Sequence, residues 1–166
     1  LHNQDFITEK GIAIGDTVTV RKAGDIIPEV LCVTKHGGNP CYTFPSVCPS
    51  CGAAVIREED EAATRCVNPE CPAQLLRNLI HFASRDAMDI DGVGPAVMRQ
   101  LIESGLVSNP ADLYDLRAEQ LADLERMGTK SAQNAVDAIA KSKENDLWRL
   151  IFALGIRQVG AKAAKI

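Results

Sequence analysis

Apolar and polar positions change their rhythm twice along this chain. Near the start, Thr17-Val18-Thr19-Val20 alternates with the two-residue period of a half-buried strand, introduced by Gly15-Asp16. Lys22-Ala23-Gly24-Asp25 then turns the chain into a second strand-like run, Ile26-Ile27-Pro28-Glu29-Val30-Leu31-Cys32-Val33. Pro28 has no N–H for a ladder, which places it at an edge or a bulge. Two or three such strands cannot close a sheet alone, so they read as the last part of a small β-barrel. Lys35-His36-Gly37-Gly38-Asn39-Pro40 reads as a loop or linker. Later the period lengthens: Val97, Met98, Leu101 and Ile102 form one helical stripe, and Ala132, Ala135, Val136 and Ile139 form another. Pro95 suits a first helical turn and Gly105 a stop. The expected fold class is multidomain α+β: a partial β-barrel over residues 1–45, a small cysteine module over 46–72 and an all-α region over 73–166.

The helical region carries a repeat. Ile90-Asp91-Gly92-Val93-Gly94, Leu124-Glu125-Arg126-Met127-Gly128 and Ile156-Arg157-Gln158-Val159-Gly160 share the form apolar-x-x-apolar-Gly, with final glycines 34 and 32 residues apart. Each precedes helix-forming sequence, which is the pattern of a helix-hairpin-helix module. A glycine lets the backbone approach a phosphate, and the free N–H groups and positive dipole end of the following helix bind the anion. Lys130 and Lys162 add a cation two residues after their glycines, where the first copy has Ala96. Binding of this kind is independent of base sequence and sensitive to salt. A single Gly-Val-Gly would be a commonplace helix–helix turn, and helical hairpins often serve only to pack. Repetition favours a DNA contact by Gly92, Val93, Gly94, Met127, Gly128, Lys130, Val159, Gly160 and Lys162. Arg126 and Gln158 stand where the first copy has Gly92, so the second and third loops are expected to grip less well, and some copies to be purely structural.

Four cysteines, Cys48-Pro-Ser-Cys51 and Cys66-Val-Asn-Pro-Glu-Cys71, have the spacing of a structural zinc site. Four thiolates fill a tetrahedral coordination sphere and leave no position for a reactive water. Gly52 allows the turn that aims backbone N–H groups at the sulfurs, and Pro49 and Pro72 stiffen the two knuckles. The competing reading is two disulfides in a secreted domain; no apolar signal stretch supports it, and Cys32 and Cys41 lie outside any pairing pattern. Cys32, between Val30 and Thr34, is expected to be a buried small hydrophobe. Cys41 could replace a knuckle cysteine, but Cys48 and Cys51 make the better clamp.

Composition limits the remaining possibilities. The 166 residues are 46% hydrophobic but hold only seven aromatics, which suits several small units. No run approaches the length of a membrane span and no targeting segment is visible, so a soluble, cytoplasmic, monomeric protein without membrane partners is expected. A net charge of −4 and a pI near 5.4 argue against a broad basic DNA-binding surface. Phosphate binding by helix starts removes that objection. His2, His36 and His81 have no partner spacing, and His81 is expected to be packed or on a helix surface. Leu1 is not an initiator methionine and Ile166 falls within an apparent helix, so a piece of a longer polypeptide is expected.

In this order, Leu1-His2-Asn3, the segment from Gly15-Asp16-Thr17 through Arg21-Lys22-Ala23-Gly24-Asp25-Ile26-Ile27-Pro28, the four cysteines, His81-Phe82-Ala83-Ser84-Arg85-Asp86-Ala87-Met88-Asp89-Ile90-Asp91-Gly92, and Leu124 to Gly128 with Ser131-Ala132-Gln133-Asn134 resemble the bacterial NAD-dependent DNA ligases. The resemblance covers the whole chain. It implies the end of an oligonucleotide-binding (OB) barrel, a four-cysteine zinc finger, and two helix-hairpin-helix motifs with the start of a third. It also implies a parent enzyme that seals nicks in double-stranded DNA during replication and repair, using NAD and Mg²⁺. The family's nucleophilic lysine lies in a Lys-x-Asp-Gly motif that residues 1–166 lack. The chain is therefore expected to be non-catalytic, to bind Zn²⁺ but neither NAD nor Mg²⁺, and to contribute at most Arg21 and Lys22 as assisting residues. Two rival classes are an accessory DNA-binding module of a repair complex and a protein-docking scaffold.

Overall fold

The computed structural model describes every residue except 2, 25, 60 and 69, so the readings made for His2 and for Asp25 in the turn lie outside the described residues. The chain divides into two compact units, Leu1–Asn68 and Pro69–Ile166.

The first unit opens with a helix that the hydrophobic pattern did not announce. Helix α1, Gln4–Glu9, is little more than one turn, too short for a stripe to show; Asn3 caps it by accepting from the Asp5 N–H, and Ile7 is its buried residue. Strands β1, Thr17–Ala23, and β2, Ile27–Lys35, form the expected antiparallel pair, with Val20 opposite Val30, Arg21 opposite Glu29 and Pro28 opposite Lys22. The register shifts between Thr17 and Val18 and again between Thr19 and Val20. Cys32 is exposed, contrary to expectation. Leu31 and Val33 take the half-covered side of the ribbon, and period-two alternation sends Cys32 and Thr34 outward.

Residues 36–45 are more than a linker, because they fold back on the start of the chain. Asp16 accepts from the Ala13 N–H at 2.8 Å and the Gly37 N–H at 2.7 Å, Asn39 donates to the Ile14 carbonyl, and Ala13 bridges Cys41. A methyl group on Gly37 would sit 2.5 Å from the Gly15 carbonyl oxygen, so the close approach of these backbones requires glycine. Gln4 completes the closure, donating to the Tyr42 carbonyl and accepting from the Phe44 N–H. A second antiparallel hairpin, β3 (Val55–Arg57) and β4 (Thr64–Cys66), follows. Arg57 fastens it to α1 through a bidentate pairing with Asp5, which holds the Asp5 carboxyl below the usual carboxylate range.

The second unit is helical: α2 (Pro72–Ala83), α3 (Pro95–Glu103), a 3₁₀ turn (Pro110–Asp115), α4 (Ala118–Ala122), α5 (Thr129–Ser142), α6 (Leu147–Ala153) and α7 (Ala161–Ala164). Both predicted stripes face inward, with Met98 and Leu101 on α3 and Ala132, Ala135 and Ile139 on α5 in the core. Leu79, Phe82, Leu113 and Leu121 complete its centre; burying side chains of this size contributes about 1.5–3 kcal/mol each. Gly105, just beyond α3, has φ +71°, the left-handed stop the sequence suggested. His81 is packed as expected: its Nε2 lies 2.9 Å from the Phe152 carbonyl oxygen and its ring meets that of Phe152 edge-on. Among the described residues, no helix is long and apolar enough to cross a membrane.

Candidate nucleic-acid interface and metal centre

The three repeated pentapeptides have one backbone design. Gly94, Gly128 and Gly160 are the residues at which α3, α5 and α7 begin, with φ/ψ of −66°/178°, −86°/162° and −80°/173°. Each glycine carbonyl accepts the first helical bond, from Met98, Ala132 and Ala164 respectively. No side chain caps any of these three starts, whereas Asn3 and Asn109 cap helix starts elsewhere in the chain. Two residues before each glycine the backbone is left-handed: φ is +86° at Gly92, +64° at Arg126 and +65° at Gln158. The loops therefore turn alike at this position, although two of them use side-chain-bearing residues. Val93, Met127 and Val159 tuck inward, fully at Val93 and partly at the others, and so anchor the loops.

The capping glycines are exposed, and a methyl group on any of them would meet nothing within 4 Å. Their dihedrals are ordinary extended values that any residue adopts. Neither backbone strain nor internal packing calls for glycine at 94, 128 or 160. Gly92 differs, since a methyl there would lie 3.0 Å from the Ala135 Cβ and its φ is positive. Lys130 and Lys162 stand exposed in the first turns of α5 and α7, beside the open N–H groups.

The four knuckle cysteines also converge. Among the described residues, Cys48, Cys51, Cys66 and Cys71 place their sulfurs within 4.8 Å of one another, Cys51 and Cys66 at 3.5 Å. A zinc tetrahedron with Zn–S bonds of about 2.3 Å has sulfur–sulfur edges of about 3.8 Å, which small side-chain rotations here would satisfy. Gly52 takes φ +71°, and the Ala53 N–H donates to the Cys51 sulfur. Chiefly that bond, then one from Asn68, pulls the Cys51 thiol from 9.0 down to about 6. Cys71 is the residue at which α2 begins. Cys41 is not in the cluster; its thiol is directed to the Ile7 carbonyl.

Arg21 lies opposite Glu29 and pairs with it at 3.0 Å, while Lys22 is exposed beside it at the end of β1. Their carriage on one strand end is clear; the cross-strand partner of Arg21 was not foreseen.

Residues 1–39 match the family described as the NAD-dependent DNA ligase OB-fold domain, and residues 47–73 match the NAD-dependent DNA ligase C4 zinc finger domain. The chain carries domains of the bacterial NAD-dependent DNA ligases. Residues 84–141 match the SAM-like helix-hairpin-helix tandem, which includes the first two hairpins. Curated relatives named DNA ligase are 62% identical in Pelotomaculum thermopropionicum over the whole chain, 55% in Bacillus subtilis over 99% of it, and 53% in Clostridioides difficile over all of it. The chain spans about a quarter of the length of these ligases. Sequence reasoning found the hairpins, the finger and the family, but missed Gln100, which reaches the second hairpin loop. A lone glutamine on a helix carries no periodic or motif signal.

Proposed function

We propose that these residues form the DNA-gripping, non-catalytic portion of an NAD-dependent DNA ligase that seals nicks in duplex DNA during replication and repair. The observation that carries this reading is the set of three exposed capping glycines that the fold itself does not need. An N–H-rich helix start without a side chain above it admits a phosphate oxygen to hydrogen-bond distance. The first turn offers N–H groups at Ala96 and Val97 in α3 and at Thr129, Lys130 and Ser131 in α5. Such binding works with a net charge of −4, because the positive potential is local to the loops.

Under this reading residues 1–45 complete an OB domain, 46–72 are a zinc finger holding one Zn²⁺ through Cys48, Cys51, Cys66 and Cys71, and 73–166 are the hairpin domain. The ion would supply local folding energy rather than chemistry. NAD and Mg²⁺ would serve the catalytic portion, which these residues do not contain. The protein would act as a monomer in the bacterial cytoplasm, at the nucleoid. Arg21 and Lys22 would bring positive charge to the phosphoryl group as it is transferred, where positioning and electrostatics dominate.

The test has two arms. The 166-residue chain should bind a nicked duplex yet acquire no adenylate from NAD. In the full-length ligase, Arg21→Ala and Lys22→Ala should slow single-turnover sealing by roughly tenfold, about 1.4 kcal/mol in the barrier, with a smaller change in nick affinity. Labelling of the chain by NAD would overturn its non-catalytic assignment, and unchanged sealing in both variants would leave Arg21 and Lys22 as a solvated strand end.

A further inference from the structure

The second hairpin turns at Arg126, a side-chain-bearing residue at φ +64°. L-residues rarely adopt this conformation, so neighbouring structure must hold it. The backbone bonds Leu124 N–H to Leu121 and Met127 N–H to Leu124 close the turn from within. A further hold comes from the other hairpin. Gln100, on α3, accepts the Glu125 N–H with its Oε1 at 2.7 Å and donates from Nε2 to the Glu125 carbonyl at 3.4 Å. Both backbone groups of the residue just before Arg126 are thus met by one carboxamide. Bracing runs the other way too, since Gly92 of the first loop lies against Ala135 of α5, where a methyl group would make a tight 3.0 Å contact.

We infer that Gln100 is a positioning residue for duplex binding: its carboxamide, reaching from α3 to the backbone of Glu125, holds the second loop in the left-handed turn that presents the start of α5. This rests on the proposed phosphate-binding role of Gly128. It gives the two loops a shared frame, so that two helix starts meet the sugar–phosphate backbone in a fixed relation. A duplex holds its phosphates at a regular spacing and profits from that frame; a flexible single strand profits less.

The experiment is a salt titration of affinity for a nicked duplex oligonucleotide by the full 166-residue chain. It compares the unmutated chain with Gln100→Met, Gln100→Ala, Gly128→Val and Gln100→Met/Gly128→Val, each checked by thermal melting. Met preserves the length of the side chain and removes both hydrogen bonds; Ala removes the side chain and must act alike. Both should weaken duplex binding about five- to tenfold and reduce the salt slope by about one, and should speed hydrogen exchange at the Glu125 amide. The double variant should bind no worse than Gly128→Val alone, because both changes remove one contact. Unchanged affinity and slope in folded Gln100→Met or Gln100→Ala would overturn the inference, as would additive losses in the double variant. Absence of salt-dependent binding by the unmutated chain would instead sink the phosphate-binding reading itself, and this inference with it.

Discussion

Asp16 shows how much of the first unit depends on one carboxylate. Its side chain is only 1% exposed, and it accepts from the backbone N–H groups of Gly37 and Ala13 while lying 3.4 Å from His36. Chiefly the Gly37 bond, then the Ala13 bond, holds its carboxyl below the usual range. A depressed folded pKa means that this stabilisation is complete above the unfolded value of about 3.9 and is lost as pH falls through the lower folded value. Asp16→Asn should therefore melt a few degrees below the unmutated chain at neutral pH, with the difference shrinking below about pH 4. A difference constant down to pH 2 would detach the effect from ionisation. In the sequence Asp16 was visible only as part of a Gly-Asp strand introducer, since its partners at Ala13 and Gly37 are local and distant respectively. Cys32 illustrates the complementary difficulty: alternation reveals that a strand has two faces but not which one is covered, and Leu31 and Val33 took the covered side.

At the scale of elements, glycine and cysteine spacing proved more informative than hydrophobic rhythm. The pentapeptide repeat located all three loops because each needs the same turn and helix start. By contrast α1, β3, β4 and α4 are three to six residues long, too short for a period to register, and depend on Asn3, the Arg57–Asp5 pairing and the packing of Leu121. The finger's small hairpin makes a direct prediction. Purified chain should contain one zinc, lost in Ser variants of Cys48, Cys51, Cys66 or Cys71 and retained in Cys41→Ser. Chelation or acidification should release the ion and loosen β3 and β4 together, because protons compete for the thiolates and metal binding is coupled to local folding. Full zinc in Cys66→Ser with loss in Cys41→Ser would reassign the ligands, and an ordered finger after chelation would deny the coupling.

Across the whole chain, the proposed DNA binding is compatible with an acidic balance because of where the positive potential is placed. Backbone N–H groups at uncapped helix starts act within one turn of the helix and need no net charge, so composition alone would have pointed away from nucleic acid. The hairpins belong to a chain spanning a quarter of its ligase relatives, and the proposal that they grip DNA rests on glycines that internal packing does not require. Because Gly94 and Gly128 have extended dihedrals and open space above them, valine at both positions should leave the fold intact while its branched side chain blocks the approach of a phosphate. The most direct measurement is duplex affinity across a salt series for the unmutated chain and Gly94→Val/Gly128→Val, with melting temperatures alongside. The account predicts salt-dependent, sequence-independent binding that falls by roughly two salt-slope units and at least tenfold in the folded double variant; equal affinity and slope in the two proteins would contradict it.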